Sequence, residues 1–284
     1  MIATTTATST FDKRLSNRAR EIDSLLCIGL DPILNRLPDA IARTPAGVVE
    51  FSREIIAATS SMALAFKPNL AFFFALGREG LDTLYQVCAD IPSNIPIVLD
   101  CKVNDMGATA EHYARAWFNE LDVDAITIAP YMGEDACAPY FTNASKGVFM
   151  LTKTSNPGSG QFQDQTLESG HRLFEEVASQ SAIWNDRYPA SIGLVVGATW
   201  PDTFKQIRQH APELWYLVPG IGEQGGSLKD SLVAGLTSSG DGILASASRS
   251  VLYASPGGDF AEASARAAAM LVDQIRSVRR ALAT

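Results

Sequence analysis

Eight short apolar runs punctuate the chain: 25–31 (LLCIGLD), 62–68 (MALAFKP), 95–100 (IPIVLD), 123–130 (VDAITIAP), 147–153 (GVFMLTK), 193–199 (GLVVGAT), 215–219 (WYLVP) and 242–248 (GILASAS). Each is largely continuous in apolar character. A strand with one face in water alternates apolar with polar, whereas a strand covered by helices on both faces does not. The pattern therefore predicts buried parallel strands. Helix-length segments follow at 46–60, 109–121, 169–181 and 201–210, and an Ala-rich segment, 259–282, closes the chain. Pro201 stands at a first helical turn, where its missing N–H costs nothing. Arg279 and Arg280 stand where cations favour a helix C-terminus.

Strand followed by helix, eight times over, predicts the α/β class and a (β/α)8 TIM barrel. An open doubly wound sheet is the competitor. It normally needs fewer strands, and no Gly-x-Gly-x-x-Gly follows the first run. The longest interval holds the polar segment 156–169, expected as a loop insertion. No composition shift or linker divides the chain, so residues 1–284 are expected to form one domain with 1–10 as a loose tail.

A composition of 46% hydrophobic and 19% charged residues suits a sizeable core. The net charge of -8 carries no basic footprint, which argues against a nucleic-acid partner. A few local cations can still hold an anionic small molecule. There is no apolar leader and no run of membrane-spanning length, so a cytoplasmic protein without a membrane partner is expected. Cys27, Cys88, Cys101 and Cys137 show no C-x-x-C spacing and read as free thiols. His112, His171 and His210 all fall in expected helices, away from strand ends, and no zinc spacing exists. Magnesium on Asp31 and Asp100 stays open at this level.

A barrel of this kind gathers its chemistry at the C-terminal ends of the strands. The polar residues at those ends are Asp31, Lys67, Asp100, Lys102, Thr154, Ser155, Gln224 and Arg249. Asp100 and Lys102, two apart on an extended chain, share one side. Asp105 follows in the loop, and Lys67 ends a neighbouring run. Solvent-facing ion pairs are the bland alternative for each residue alone; convergence of the group argues against it. A lysine near two carboxylates is held as ammonium, which makes it a poor nucleophile and a ready proton donor. The carboxylates would also repel an anionic group beside them. Decarboxylation followed by protonation of carbon uses both features. A metal-assisted enolate reaction is the other possibility.

The last two loops read 219–226 (PGIGEQGG) and 246–251 (SASRSV). Small residues let backbone N–H groups approach an anion, and Gln224 and Arg249 add side-chain donors. These are the loops that hold phosphate in such barrels. Thr154-Ser155-Asn156-Pro157-Gly158 offers hydrogen bonds to a heteroatom-rich ring, or is merely a turn.

The series Gly29-Leu30-Asp31-Pro32, Phe66-Lys67-Pro68-Asn69, Asp100-x-Lys102-x-x-Asp105 continuing to Thr109, Thr154-Ser155-Asn156-Pro157-Gly158, Pro219-Gly-Ile-Gly-x-Gln224 and Ser248-Arg249-Ser250 resembles the orotidine 5'-phosphate decarboxylase family, in its longer bacterial-type subfamily. The likeness runs from about Phe11 into the last helix. The Asp-x-Lys-x-x-Asp core alone is shared with phosphosugar aldolase and decarboxylase relatives; the full series is far more specific. Two positions depart from the family pattern. Met106 replaces a branched residue, which should alter packing against the base. Ser248 replaces a glycine before the phosphate-binding Arg249 and keeps the residue small.

The resemblance implies loss of CO2 from C6 of orotidine 5'-monophosphate to give UMP, without metal or organic cofactor. Lys102 would protonate C6, Asp100 would face the departing carboxylate, and Lys67 would order the charges and contact the ribose. Asp31 would bind ribose hydroxyls and Ser155 the pyrimidine amide edge. Pro219, Gln224, Ser248 and Arg249 would form the phosphate end. Asp105 and Thr109 would serve the pocket of a second subunit, implying a homodimer with shared sites. The alternative, a magnesium-dependent phosphosugar lyase or aldolase on the same barrel, would want an acidic ligand where Lys67 stands. A non-catalytic barrel binding a phosphorylated ligand is the third possibility.

Overall fold

The computed structural model describes residues 9–221 and 226–283. Its strands are β1 (Leu26–Leu30), β2 (Ala65–Pro68), β3 (Val98–Leu99), β4 (Ala125–Ile128), β5 (Gly147–Lys153), β6 (Ser191–Val196), β7 (Tyr216–Val218) and β8 (Ile243–Ala247). They form one sheet in the order β2-β1-β8-β7-β6-β5-β4-β3, and the pairings are parallel. The two ends meet through parallel bridges, Phe66 with Ile97 and Asn69 with Asp100. Across that seam the Asp100 N–H donates to the Pro68 carbonyl at 2.9 Å. The expected (β/α)8 barrel is the observed fold, and closure leaves no long free edge.

Every apolar run yields a strand, but the third is cut short. Of 95–100 only Val98–Leu99 is regular strand. Beyond it the N–H groups of Cys101 and Lys102 turn away from the ladder and donate to the Thr127 hydroxyl, at 3.1 and 3.0 Å. A side-chain acceptor has replaced the next rungs.

The helices Pro45–Thr59, Pro201–His210 and Phe260–Ala283 lie where the pattern put them. The segment expected as a helix over 109–121 starts earlier, at Gly107, and changes at Ala116 into a π-helical turn. The helix expected over 169–181 is displaced to Leu173–Arg187. Thr166 pairs with Arg172 in an antiparallel bridge instead, so His171 lies in a loop and not in a helix as expected. Its ring meets that of His210 edge-on at 4.8 Å. The helices Gly80–Ala89 and Leu228–Gly235 of the outer layer, and the helix Phe11–Ile22 ahead of β1, were not expected.

Residues 1–8 of the expected tail lie outside the described residues. Thr10 is already the N-cap of the helix Phe11–Ile22. That helix plugs the N-terminal mouth of the barrel. Phe11 meets Phe149 edge-on at 6.1 Å, and Gly147 makes room for it, since a Cβ there would lie 2.3 Å from the Phe11 ring. Buried Arg18 donates to the carbonyls of Ala63 and Ser60, both at 2.9 Å.

All four cysteines are free; Cys27, Cys88 and Cys137 are buried and Cys101 is half-buried. Burial pushes the Cys27 and Cys88 thiols up to about 12 and those of Cys101 and Cys137 up to about 11. They stay neutral at physiological pH and are weak nucleophiles. No helix among the described residues is long and apolar enough to cross a membrane.

Candidate active site

A cavity of about 410 Å³ opens at the C-terminal mouth. Asp31, Lys67, Asp100, Lys102, Ser155, Pro219, Ser248 and Arg249 all line it. With Thr154, which also lines it, nine residues singled out from sequence thus converge, from loops that the closed strand order distributes around the whole barrel. Strands β7 and β8, which carry Pro219 and Arg249 after them, lie across the barrel from β3 and β4.

Asp100 is the centre of the charges. Its Oδ2 pairs with Lys67 Nζ at 3.1 Å, and its Oδ1 pairs with Lys102 Nζ. The Thr127 hydroxyl donates to the same Oδ1 at 3.0 Å. The Lys67 side chain is 4% exposed and that of Asp100 12%, while that of Lys102 is 46% exposed and so can reach a molecule in the cavity. Burial alone would raise the Asp100 pKa. The attraction of Lys67 and then Lys102 outweighs it and holds the carboxyl well below the usual carboxylate range. Burial alone would lower that of Lys67; Asp100 and then Asp31 outweigh it, leaving the Lys67 pKa raised. The result is a buried ammonium, a buried carboxylate and a second, accessible ammonium in a row.

The expectation that Asp100 and Lys102 share a side because both lie on an extended strand needs correction. Lys102 has φ +51°, in the left-handed region. For a residue with a Cβ that conformation costs about 1 kcal/mol or more. The Lys102 N–H bond to Thr127 offsets part of it. The two groups meet because a turn folds the lysine back, not because a strand aligns them.

Asp31 follows β1. Its Oδ1 is buried and accepts no hydrogen bond among the described residues. The backbone around it is pinned by Tyr253, whose hydroxyl accepts from the Ile33 N–H at 2.6 Å and donates to the Asp31 carbonyl at 3.3 Å. Asp31 lines the cavity, and a carboxylate oxygen without a protein partner suits a ligand hydroxyl once the side chain turns toward it. Leu151, Val195, Leu217 and Ile221 supply an apolar wall from β5, β6 and the region of β7. Ser248 crosses Gly29 so closely that a Cβ on the glycine would fall 1.8 Å from its hydroxyl oxygen.

Asp105 and Thr109 do not line this cavity. The Asp105 Oδ1 accepts from the Met106 N–H at 2.8 Å, and Thr109 is exposed on the helix Gly107–Arg115. Gln224 lies outside the described residues. Thr127, Asn69 and Ser246 line the cavity without having been singled out as site residues. For Thr127 a signal existed: it is the one polar side chain in Ala125–Ile128, and a buried hydroxyl needs a partner. The magnesium alternative finds no support. Where it wants a carboxylate near the end of β2 the chain has Lys67, already paired with Asp100.

Residues 24–263 match the model of the family described as Orotidine 5'-phosphate decarboxylase / HUMPS family. The chain is 43% identical over 274 residues to an orotidine 5'-phosphate decarboxylase of Thermomicrobium roseum, covering 96% of this chain and 97% of that one. Among solved structures it matches Leishmania donovani OMP decarboxylase with TM-score 0.83 and 40% identity, covering 95% of this chain and 99% of that one. It also matches Leishmania donovani UMP synthase with TM-score 0.85 and 42% identity, covering 96% of this chain but spanning only 57% of the synthase. Family model, relatives and barrel agree with the series of strand-end motifs: this chain belongs to the orotidine 5'-phosphate decarboxylase / HUMPS family.

Proposed function

We propose that this chain decarboxylates orotidine 5'-monophosphate to UMP and CO2 in pyrimidine biosynthesis, as a carbon–carbon lyase working with its own side chains. The observation that carries this reading is the row Lys67, Asp100, Lys102 on a cavity wall, one carboxylate between two ammonium groups. The C6–carboxylate bond breaks, CO2 leaves, and its electron pair stays on C6. The Lys102 ammonium gives its proton to that carbon and is reprotonated from solvent. Asp100 faces the substrate carboxylate, which disfavours the bound ground state relative to the transition state, in which that charge is leaving. Lys67 keeps Asp100 ionised and contacts the ribose, and Asp31 accepts from ribose hydroxyls. Ser155 meets the pyrimidine amide edge, while Pro219, Gln224, Ser248 and Arg249 surround the phosphate.

Asp105 and Thr109 serve the pocket of a second copy in a homodimer. Two features support this. Neither residue lines its own chain's cavity, and beside them Met106 and, on the neighbouring loop, Tyr131 are 62% and 92% exposed. Apolar side chains so exposed near one mouth suit a covered face. One domain per chain and a cytoplasmic location fit a water-soluble nucleotide substrate. The test is incubation of the purified protein with orotidine 5'-monophosphate and a chelator. UMP and CO2 should appear in equal amounts at the rate seen without chelator; no UMP, or a rate abolished by chelation, refutes the reading.

A further inference from the structure

Lys153 ends β5 and is 1% exposed, yet it does not line the cavity. The register explains why. Leu151 pairs with Val195 and Lys153 with Val196, so the strand shifts by one residue between them. Such a bulge re-aims the side chain that follows it. Leu151 lines the cavity, while Lys153 turns into the helical layer. There its ammonium lies 5.1 Å from the Trp200 ring and 5.8 Å from that of Phe174. Its counter-charge is Asp164 Oδ1 at 2.6 Å. A buried ammonium needs such partners, and a lysine placed so deeply without catalytic contact calls for a reason.

The chain between the two ends of this ion pair carries Ser155. Its start is tied down from both sides. Thr154 N–H donates to Gln163 Oε1 at 2.9 Å, and Gln163 Nε2 donates to the Thr154 hydroxyl at 2.9 Å. Trp200 Nε1 donates to the Thr154 carbonyl at 2.9 Å, and the Thr199 hydroxyl to the Ser155 carbonyl at 3.2 Å. The end of β6 abuts the same backbone: a Cβ on Gly197 would lie 2.6 Å from the Ser155 nitrogen. Lys153 therefore holds Asp164 behind the loop and packs on the indole that holds Thr154.

We propose that Lys153 is a positioning residue for recognition of the pyrimidine: with Asp164 and Trp200 it fixes the Thr154–Ser155 backbone and so the direction of the Ser155 side chain. This rests on the reading of Ser155 as the group that meets the base. Its consequence is selective, because a loose Ser155 harms contact with the base and leaves ribose and phosphate contacts alone.

The test compares dissociation constants for UMP and for ribose 5-phosphate, measured by calorimetry on the full chain. Lys153→Met keeps an unbranched stem and leaves Asp164, 41% exposed, to water, so no buried charge is stranded. UMP binding should weaken about tenfold and ribose 5-phosphate binding by less than about twofold. Should that variant not fold, Trp200→Phe removes the donor to Thr154 and keeps a ring; the same selective loss is expected. Equal weakening of both ligands, or none, overturns the proposal. Ser155→Ala separates the two layers. If it leaves the preference for UMP unchanged, the reading of Ser155 fails; if it lowers the preference while Lys153→Met and Trp200→Phe do not, the positioning role alone fails.

Discussion

Thr127 concentrates three contacts on one hydroxyl: it donates to Asp100 and accepts from the N–H groups of Cys101 and Lys102. The same atom thus orients the central carboxylate and holds Lys102 in its left-handed backbone. Thr127→Val keeps the branched shape and deletes all three bonds. It is expected to lower kcat by about tenfold to a hundredfold with KM changed by less than about threefold, whereas Thr127→Ser retains most of kcat. Steady-state kinetics on orotidine 5'-monophosphate check this, and a valine variant with the wild-type kcat would show that the hydroxyl is dispensable. At this scale the charged residues were legible because Asp, Lys and Asp at strand ends are conspicuous. Their geometry was not. Spacing along an extended chain suggested a shared face, but φ at Lys102 depends on an acceptor on β4, which local sequence at 100–105 does not contain. Thr127 itself was passed over for the same reason: its partners are 25 to 27 residues away in sequence.

At the scale of elements, each apolar run became a strand because burial on both faces leaves a continuous apolar signature that short loops cannot mimic. The ends were less legible. In β3 a side-chain acceptor took over from the ladder after Leu99, and β5 hides a register shift that no pattern of apolar residues marks. The helix Phe11–Ile22 was missed because it is strongly polar, with its apolar contacts reduced to one narrow stripe that includes Phe11, Leu15 and Ala19. The displacement of the helix expected at 169–181 has a local cause, the pairing of Thr166 with Arg172. That pairing removes His171 from the helix and places it against His210. Two of the strands that position the site, β3 and β5, thus depart from regular pairing near their ends.

At the scale of the molecule, the barrel brings nine sequence-identified residues to one mouth and leaves Asp105 and Thr109 outside it. If a second copy receives them, activity should be restored between two inactive variants. Mixing Lys102→Ala with Asp105→Ala under conditions of subunit exchange should recover activity approaching about a quarter of the wild-type sites, since each mixed dimer holds one intact pocket. A monomer with full activity, or no recovery on verified exchange, contradicts shared sites. The central claim concerns the proton given to C6, and Lys102→Ala tests it most directly when turnover and binding are measured on the same preparation. Formation of UMP from orotidine 5'-monophosphate should fall by more than about a thousandfold while the dissociation constant for UMP changes by less than about tenfold. Turnover within about tenfold of wild type would contradict the account, because the proton would then come from another source.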